Sequence, residues 1–597
     1  MHAHISLLLA VAAPCLYLDG QASASPSDET SPIDRCTARA VADDLQELAT
    51  QLRAHHADPT WLTPSDELEA VLASARRDAA AAGSPEERAA QILRVVAALR
   101  DGHTAVDWAS RHGLFGDLPV RFEWFDGRLR VVHAAAEGVA ALGREVLAFD
   151  GVPTAEVARR LRAVVPCSNE PGFRRFSLRY VRLPGLLYGL GIARSRDGVT
   201  LALASEGDAP DAVPLRRRDV LEIERLSFEH AVPPERGPLL SLRREPSANA
   251  LVVRLRSIRD GEEEGLMAFL RRAADALDEP LDGSAEGAPT ERLILDLRGN
   301  GGGNGMRTLQ FVARLRACPE LTECGGILLL TDKWTFSAAI LLANQLQMKA
   351  GARIVGTPAG ARPDTPGDDD PIELPSTGIV VDVSRYLHAS TVAGDGRVEL
   401  TPDVLVPTTW EDHRSGRDPV LEAALSLPLL EATAPLPPNA PAPGRFLFGP
   451  DRDLVLREVG GGLTMEVSRL AYGRLRPTPN GWLRADGAGL ELRAGPGDTL
   501  EVRPRGGSRR VLPRIEADHR APIELFHAGA LGAGSDRYRE LRRRHPDLAS
   551  LRDNNLAAEA AYLFFVTGDR EATRELLRVA IELNPSADFA ARTLDYF

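Results

Sequence analysis

The sequence predicts a multidomain α/β protein whose central sheet is covered by helices on both faces, and three observations carry that reading. Between Leu239 and Leu427 the apolar runs "LVVRLRSI", "RLILDLRG" and "GILLLT" alternate with stretches of helical periodicity, the pattern of strands covered by helices on both faces. A glycine-rich turn follows one of those strands and a serine opens the helix after another. The 597-residue length exceeds what one hydrophobic core supports, so about three to five domains are expected.

Taken in order, the chain opens with an apolar run from Ile5 to Leu18, too short to span a bilayer, followed by Ala22-Ser23-Ala24. That is a signal-peptide pattern for residues 1–24 and implies an exported protein, periplasmic or extracellular in a bacterium. Its first residues depart from the pattern in lacking Lys and Arg, and Pro14 before Cys15 argues against a lipid-anchoring site. Residues 36–105 form a helical subdomain: Val41, Leu45, Leu48 and Leu52 recur at helical spacing, as do Ile92, Val95, Val96 and Leu99. Ser84-Pro85-Glu86-Glu87 is a helix start, and the subdomain ends at Asp101-Gly102-His103. Residues 118–213 carry short strands, with Gly143–Val152 a strand and turn before a helix through Val157, Leu161 and Val164. This segment resembles the second half of a PDZ domain, a fold that adds a peptide strand to its edge; a generic small α/β module fits the pattern too.

Residues 239–430 hold the expected catalytic α/β core, in which Asp364–Asp370 is expected as a solvated acidic loop. Residues 434–444 are a Pro-rich linker. Residues 445–515 alternate apolar and polar positions between Gly/Asp turns, a small β-barrel or sandwich. Residues 520–597 are helical, and the stretch ending Ala-Ile-Glu-Leu-Asn-Pro resembles a single tetratricopeptide (TPR) repeat. One such repeat cannot bury both faces alone, so it is expected to pack on neighbouring helices or to meet a protein partner.

Composition excludes several classes. At 44% hydrophobic and 26% charged the chain is an ordinary globular protein. Its net charge of −13 argues against nucleic acid, which needs a basic face. No segment after the first is long and apolar enough for a membrane helix. Cys318 and Cys324 flank a short turn and either pair or stay as buried thiols; no cysteine spacing suggests a zinc site.

Three separated pieces carry chemistry. In Thr331–Ala339 a buried strand ends, a short turn follows and Ser337 opens a helix, placing its hydroxyl at the positive end of the dipole; an ordinary N-cap would look the same. In Asp296–Asn304 glycines lie between strand and helix, leaving backbone amides free to approach a ligand. No GxxxxGK[ST] is present, so an oxyanion hole built from the Gly301, Gly302 and Ala338 amides fits better than a phosphate loop. In Leu99–Thr104, His103 is either a turn residue or a base.

Together with Val355–Gly360, Leu374–Tyr386, Leu400–Val406 and Gly416–Leu425, these pieces resemble the tail-specific (C-terminal processing) serine proteases. The similarity is greatest to the tricorn-core-like branch, shared with retinoid-binding-protein repeats, and covers roughly Cys36 to Leu427. It implies a ClpP/crotonase-like catalytic core, a PDZ-like module, a peptide or protein substrate that is unfolded or C-terminally exposed, and no metal or organic cofactor. Part of that family uses a lysine base. This chain has only Lys333 and Lys349. Where the family's lysine falls it has Ala361 and Arg362, and arginine stays protonated. Lys349 is about 18 Å from Ser337 along their shared helix. His103 is the better base, with Asp395, Glu399 or Asp101 as candidates to orient it and Thr104 as a further contact. A non-catalytic protein binding peptides or apolar ligands on the same fold, and an esterase using the same pair, are the competing readings.

Overall fold

A computed structural model describes residues 33–107, 114–205, 209–232, 237–279, 290–392, 394–430, 436–468, 470–485 and 487–597. The expected signal peptide, residues 1–24, lies outside them, as does the start of the expected linker.

The centre is a six-stranded sheet in the order Val404–Leu405, Arg353–Gly356, Ile327–Thr331, Arg292–Asp296, Ala250–Leu255, Leu240–Glu245. All neighbours are parallel except the last pair, which is antiparallel. Alternate residues of each apolar run feed opposite faces. Leu251, Val253, Leu293, Leu295 and Leu329 enter one core cluster; Val252, Ile294, Leu328, Leu330 and Val355 enter another. Each such side chain contributes roughly 1.5–3 kcal/mol on burial, so the sheet needs cover on both sides. Helices Leu266–Asp275, Leu309–Arg316 and Ala338–Ala350 cover one face, and Pro419–Ser426 covers the other.

The N-terminal subdomain is three helices, Ala38–His55, Ser65–Ala81 and Pro85–Ala98. The last starts as expected, with Ser84 accepting from the Glu87 amide and proline in the first turn. Its exit leads through Asp101–Thr104 into a two-residue strand, Ala105–Val106, which pairs with Val380–His388. Here the structure corrects the sequence reading. Asp364–Asp370 is not a solvated loop: Thr365–Glu373 is a strand, hydrogen-bonded along its length to Val380–His388. Pro366 and Pro371 are tolerated because this is the outer strand of its sheet, and the apolar partner strand supplies Val381 and Val383 to the core.

The region expected at 118–213 is a small α/β module of two sheets, one running to Arg216 and the other completed by Glu229–His230. Asp150 (φ 47°) and Gly151 (φ 87°) make the tight turn before helix Thr154–Leu161. Two further helices, Glu170–Tyr180 and Pro184–Gly189, follow inside the module and have no counterpart in the strand–turn–helix reading.

Residues Gly444–Ile515 form an eight-stranded closed barrel, so closure leaves no strand edge exposed. It fills with Phe446, Leu454, Met465, Leu490 and Val502, and takes in Met348 from the far end of the Ala338–Ala350 helix. The C-terminal helices include the pair Asp553–Thr567 and Arg570–Leu583, reversing at Gly568 with φ 73°. Their remaining apolar surface is buried by Leu531–Arg544, by Phe589–Leu594 and by Leu309 and Met306 of the core. The repeat-like pair thus packs on neighbouring helices of the chain, the first of the two expected alternatives. Cys318 and Cys324 are free thiols: Cys318 points at the Glu320 carboxylate and Cys324 at the Glu320 carbonyl, so the disulfide alternative is not realised.

Candidate active site

The serine turn is held by hydrogen bonds within itself and to the glycine loop. Asp332 Oδ1 accepts from the Trp334 amide at 2.9 Å, the Thr335 amide at 3.0 Å and the Gly299 amide at 3.1 Å. Thr335 Oγ1 donates to the Leu297 carbonyl, and the Phe336 amide donates to the Asn300 carbonyl at 3.0 Å. So pinned, Ser337 takes φ 53° and ψ −130°, a backbone state that costs a non-glycine residue about 1–3 kcal/mol. It caps the N-terminus of the 13-residue helix Ala338–Ala350, where the dipole favours developing negative charge.

The glycine loop is docked on that turn. Asn300, fully buried, donates through Nδ2 to the Leu255 carbonyl at 2.8 Å and accepts the Gly302 amide at 2.8 Å. This corrects the expected three-amide oxyanion hole, because the Gly302 N–H is consumed by Asn300. Gly302 serves by its lack of a side chain: at φ 112°, a Cβ there would lie 2.6 Å from Ser337 Cβ and 3.1 Å from the Ala338 nitrogen. The Gly301 N–H makes no hydrogen bond among the described residues. Ala338 opens its helix, so its N–H has no intrahelical acceptor. These two amides are the available donors.

His103 sits between helix and strand with its ring stacked on Phe336, the residue before the serine, at 4.4 Å between centroids and 26° between planes. Both ring nitrogens are buried and without a hydrogen-bond partner among the described residues. Burial pushes the imidazole below its ordinary value, with Asp101, Asp369 and Asp368 only partly opposing it, so it stands neutral and able to accept a proton. Asp101 Oδ1 is 4.0 Å from His103 Nδ1. This buried carboxylate accepts from the His103 and Thr104 amides, from Thr104 Oγ1 and Ser384 Oγ at 2.6 Å each, and faces His56 Nε2 at 3.2 Å. Burial alone would raise its carboxyl; the bond and charge of His56, with His103 and Ser384, outweigh that and hold it well below the usual carboxylate range. Thr104 therefore contacts Asp101 rather than the imidazole. No hydrogen bond joins Ser337 Oγ to His103 among the described residues; such bonds commonly tighten only with substrate in place.

Neither of the other proposed orienting residues makes a hydrogen bond to the His103 ring among the described residues. Asp395 pairs with Arg397 at 2.7 Å, both side chains 2% exposed, and Arg397 donates to Gln347 and Asn344 of the serine helix. Glu399 does not line the cavity that holds Ser337 and His103. Of the lysines, Lys333 pairs with Glu123 at 2.9 Å, and Lys349 lies over the Tyr562 ring at 4.1 Å with its amine pushed down by burial to about 7.

Ser337, His103, Gly301 and Ala338 share one cavity of about 2590 Å³, several times larger than a pocket for a small ligand. Sequence reasoning missed part of its lining. The backbone of Gly367 passes so close that a Cβ there would be 3.7 Å from His103 Nε2. His388 and Asp368 meet at 2.9 Å beside it, and Asp382 is pushed up to about 7 by burial together with the Asp369 and Asp107 charges. The guanidinium of Arg175 lies 4.2 Å from the Phe336 ring centre. Only the Asp368–Asp370 run hinted at this wall.

No family model matches the sequence, and no curated protein does so either. Among solved structures the chain is similar to mature CPAF complexed with lactacystin, at 14% identity over 65% of this chain and 97% of that one, with a TM-score of 0.45. It is similar to the photosystem II D1 C-terminal processing protease at 15% identity, 64% and 96% coverage and a TM-score of 0.31. It is similar to the tricorn protease at 14% identity, 65% and 36% coverage and a TM-score of 0.30.

Proposed function

We propose that the protein is an exported serine endopeptidase of the tail-specific, tricorn-core-like kind, cleaving unfolded or C-terminally exposed polypeptides through an acyl-enzyme. The observation that supports it most is the meeting, in one cavity, of a strained serine at a helix N-terminus, two amides beside it and a neutral histidine whose ring nitrogens, like those amides, have no hydrogen-bond partner among the described residues. Each feature alone has a structural explanation. Their convergence does not.

In this reading His103 takes the Ser337 proton as the oxygen attacks the peptide carbonyl. The Gly301 and Ala338 amides hold the resulting oxyanion; losing one such donor typically costs about 3 kcal/mol of transition-state stabilisation. The imidazolium is balanced by the Asp101 carboxylate 4.0 Å away, then passes its proton to the leaving amine, and water releases the acyl group. The cavity's size suits a chain rather than a metabolite.

The test is fluorophosphonate labelling of the purified protein beside Ser337→Ala and His103→Ala, with casein cleavage in parallel. Labelling and cleavage lost in both variants are expected. A folded wild-type protein that does neither would favour a binding function, and ester turnover without peptide turnover would favour an esterase.

A further inference from the structure

Asp101, which fixes the turn carrying His103, is held from two sides, and both sides lead to the C-terminal helices. On one side His56 faces it, and the Asp58 amide donates to His56 Nδ1 at 3.1 Å. The next contact outward is Arg552, whose guanidinium donates to the Ala57 carbonyl at 3.2 Å and meets Asp58 at 3.5 Å. On the other side Ser384 donates to Asp101, and its strand runs through Leu387 to His388, with Ala389 the residue after it. Asn555 grips that strand twice, donating to the Leu387 carbonyl at 3.1 Å and accepting the Ala389 amide at 3.2 Å. Asn554 donates to the same carbonyl, and Tyr386 donates to Asp588 at 2.7 Å while meeting the Phe589 ring edge-on. The two sides are themselves joined, since the Ala57 amide donates to the Ser384 carbonyl at 2.9 Å.

These polar contacts are not what docks the helices. Docking has its own apolar cluster with Leu309 and Met306, and an ion pair from Arg452 to Glu559 at 2.6 Å. The contacts of Arg552 and Asn555 fall instead on the two segments that bond Asp101.

We propose that the C-terminal helices clamp the catalytic turn, with Arg552 and Asn555 as positioning residues for His103. The proposal rests on the Ser337–His103 reading for its consequence in activity, and on hydrogen bonds alone for its mechanics. Loosening either grip frees the His56 turn or the Ser384 strand, and Asp101 then holds His103 less firmly; a misplacement near 1 Å costs about a hundredfold in rate.

The full chain is compared with Arg552→Ala, Asn555→Ala, the double variant, Arg552→Lys, and Arg578→Ala as control, an exposed residue paired with Glu575 of its own helix. Two readouts are taken: kcat and KM for a peptide, and hydrogen exchange of the His103 and Thr104 amides, which both bond Asp101. The double variant is expected to lose about tenfold or more in kcat with KM unchanged, and to exchange faster at those two amides. Arg552→Lys recovers part of both losses and Arg578→Ala matches wild type. Unchanged exchange at the turn in a folded double variant overturns the clamp. If wild type shows no hydrolysis at all, the peptidase reading fails while the exchange comparison still decides the clamp.

Discussion

Replacing Gly302 by alanine tests whether the glycine loop exists to let the serine in. The residue sits at φ 112°, where a side chain costs about 1–3 kcal/mol. The new methyl would also stand 2.6 Å from Ser337 Cβ and 3.1 Å from both the Ala338 nitrogen and the Phe336 carbonyl. Relieving that overlap means moving the serine turn by most of an ångström, and overpacking of this kind costs about 1–3 kcal/mol. The sum is about 2–6 kcal/mol of stability. Because the displaced atoms are the proposed nucleophile and a proposed oxyanion amide, fluorophosphonate labelling should fall by about a hundredfold or more. Gly301→Ala is the internal comparison: its methyl would meet only Arg175 Nη2, at an ordinary 3.6 Å, and it should unfold near the wild-type urea midpoint. A Gly302→Ala protein that labels within about threefold of wild type and unfolds at an unchanged midpoint would refute the close-approach argument.

Three other outcomes are expected. Because burial lowers the His103 imidazole, it stays unprotonated below the ordinary value, so the acidic limb of kcat/KM should have its midpoint below about 6.5; a limb at or above 7 contradicts the assignment. Asp101→Ala strands buried donors from His56, Thr104 and Ser384 and should cost about 3–5 kcal/mol in chemical unfolding at pH 7. Since the Asp101 carboxyl is depressed, its contribution is whole above the unfolded carboxylate value and fades as pH falls through the folded one, so wild type and variant should converge in strong acid. Lys349 is depressed to about 7 from 10.5, which costs stability increasingly as pH falls from 10.5 toward 7; Lys349→Met should therefore raise the melting temperature at pH 7, by an amount that shrinks as pH rises toward 10.5.

What could be read from the sequence was local. The sheet strands announce themselves as apolar runs, Ser84-Pro85 starts a helix by capping its own first turn, and Gly568 reverses a helical pair. Ser337 and the glycine loop were legible because strand, turn and helix are contiguous there. The rest depends on partners hundreds of positions apart. Ser384 reaches Asp101, and Asn555 reaches Leu387, and no periodicity encodes either meeting. Thr365–Glu373 misled because prolines and aspartates normally mark loops, and only its place at a sheet edge beside an apolar partner makes it a strand. Asn300 took an amide expected for catalysis because its own burial demanded an acceptor and a donor. Asp395 was lost as an orienting group for the related reason that Arg397, buried with it, needed a counter-charge.

The backbone of Ser337 carries one more consequence. Its φ of 53° with ψ of −130° is comfortable for glycine, and removing that strain outweighs glycine's loss of chain entropy, for a net gain of about 1 kcal/mol. Heat tolerance and the turnover proposed for the hydroxyl thus pull in opposite directions at this one position. A population of variants screened only for surviving high temperature would drift toward glycine there, and its hardiest members would be the ones that had given up the hydroxyl.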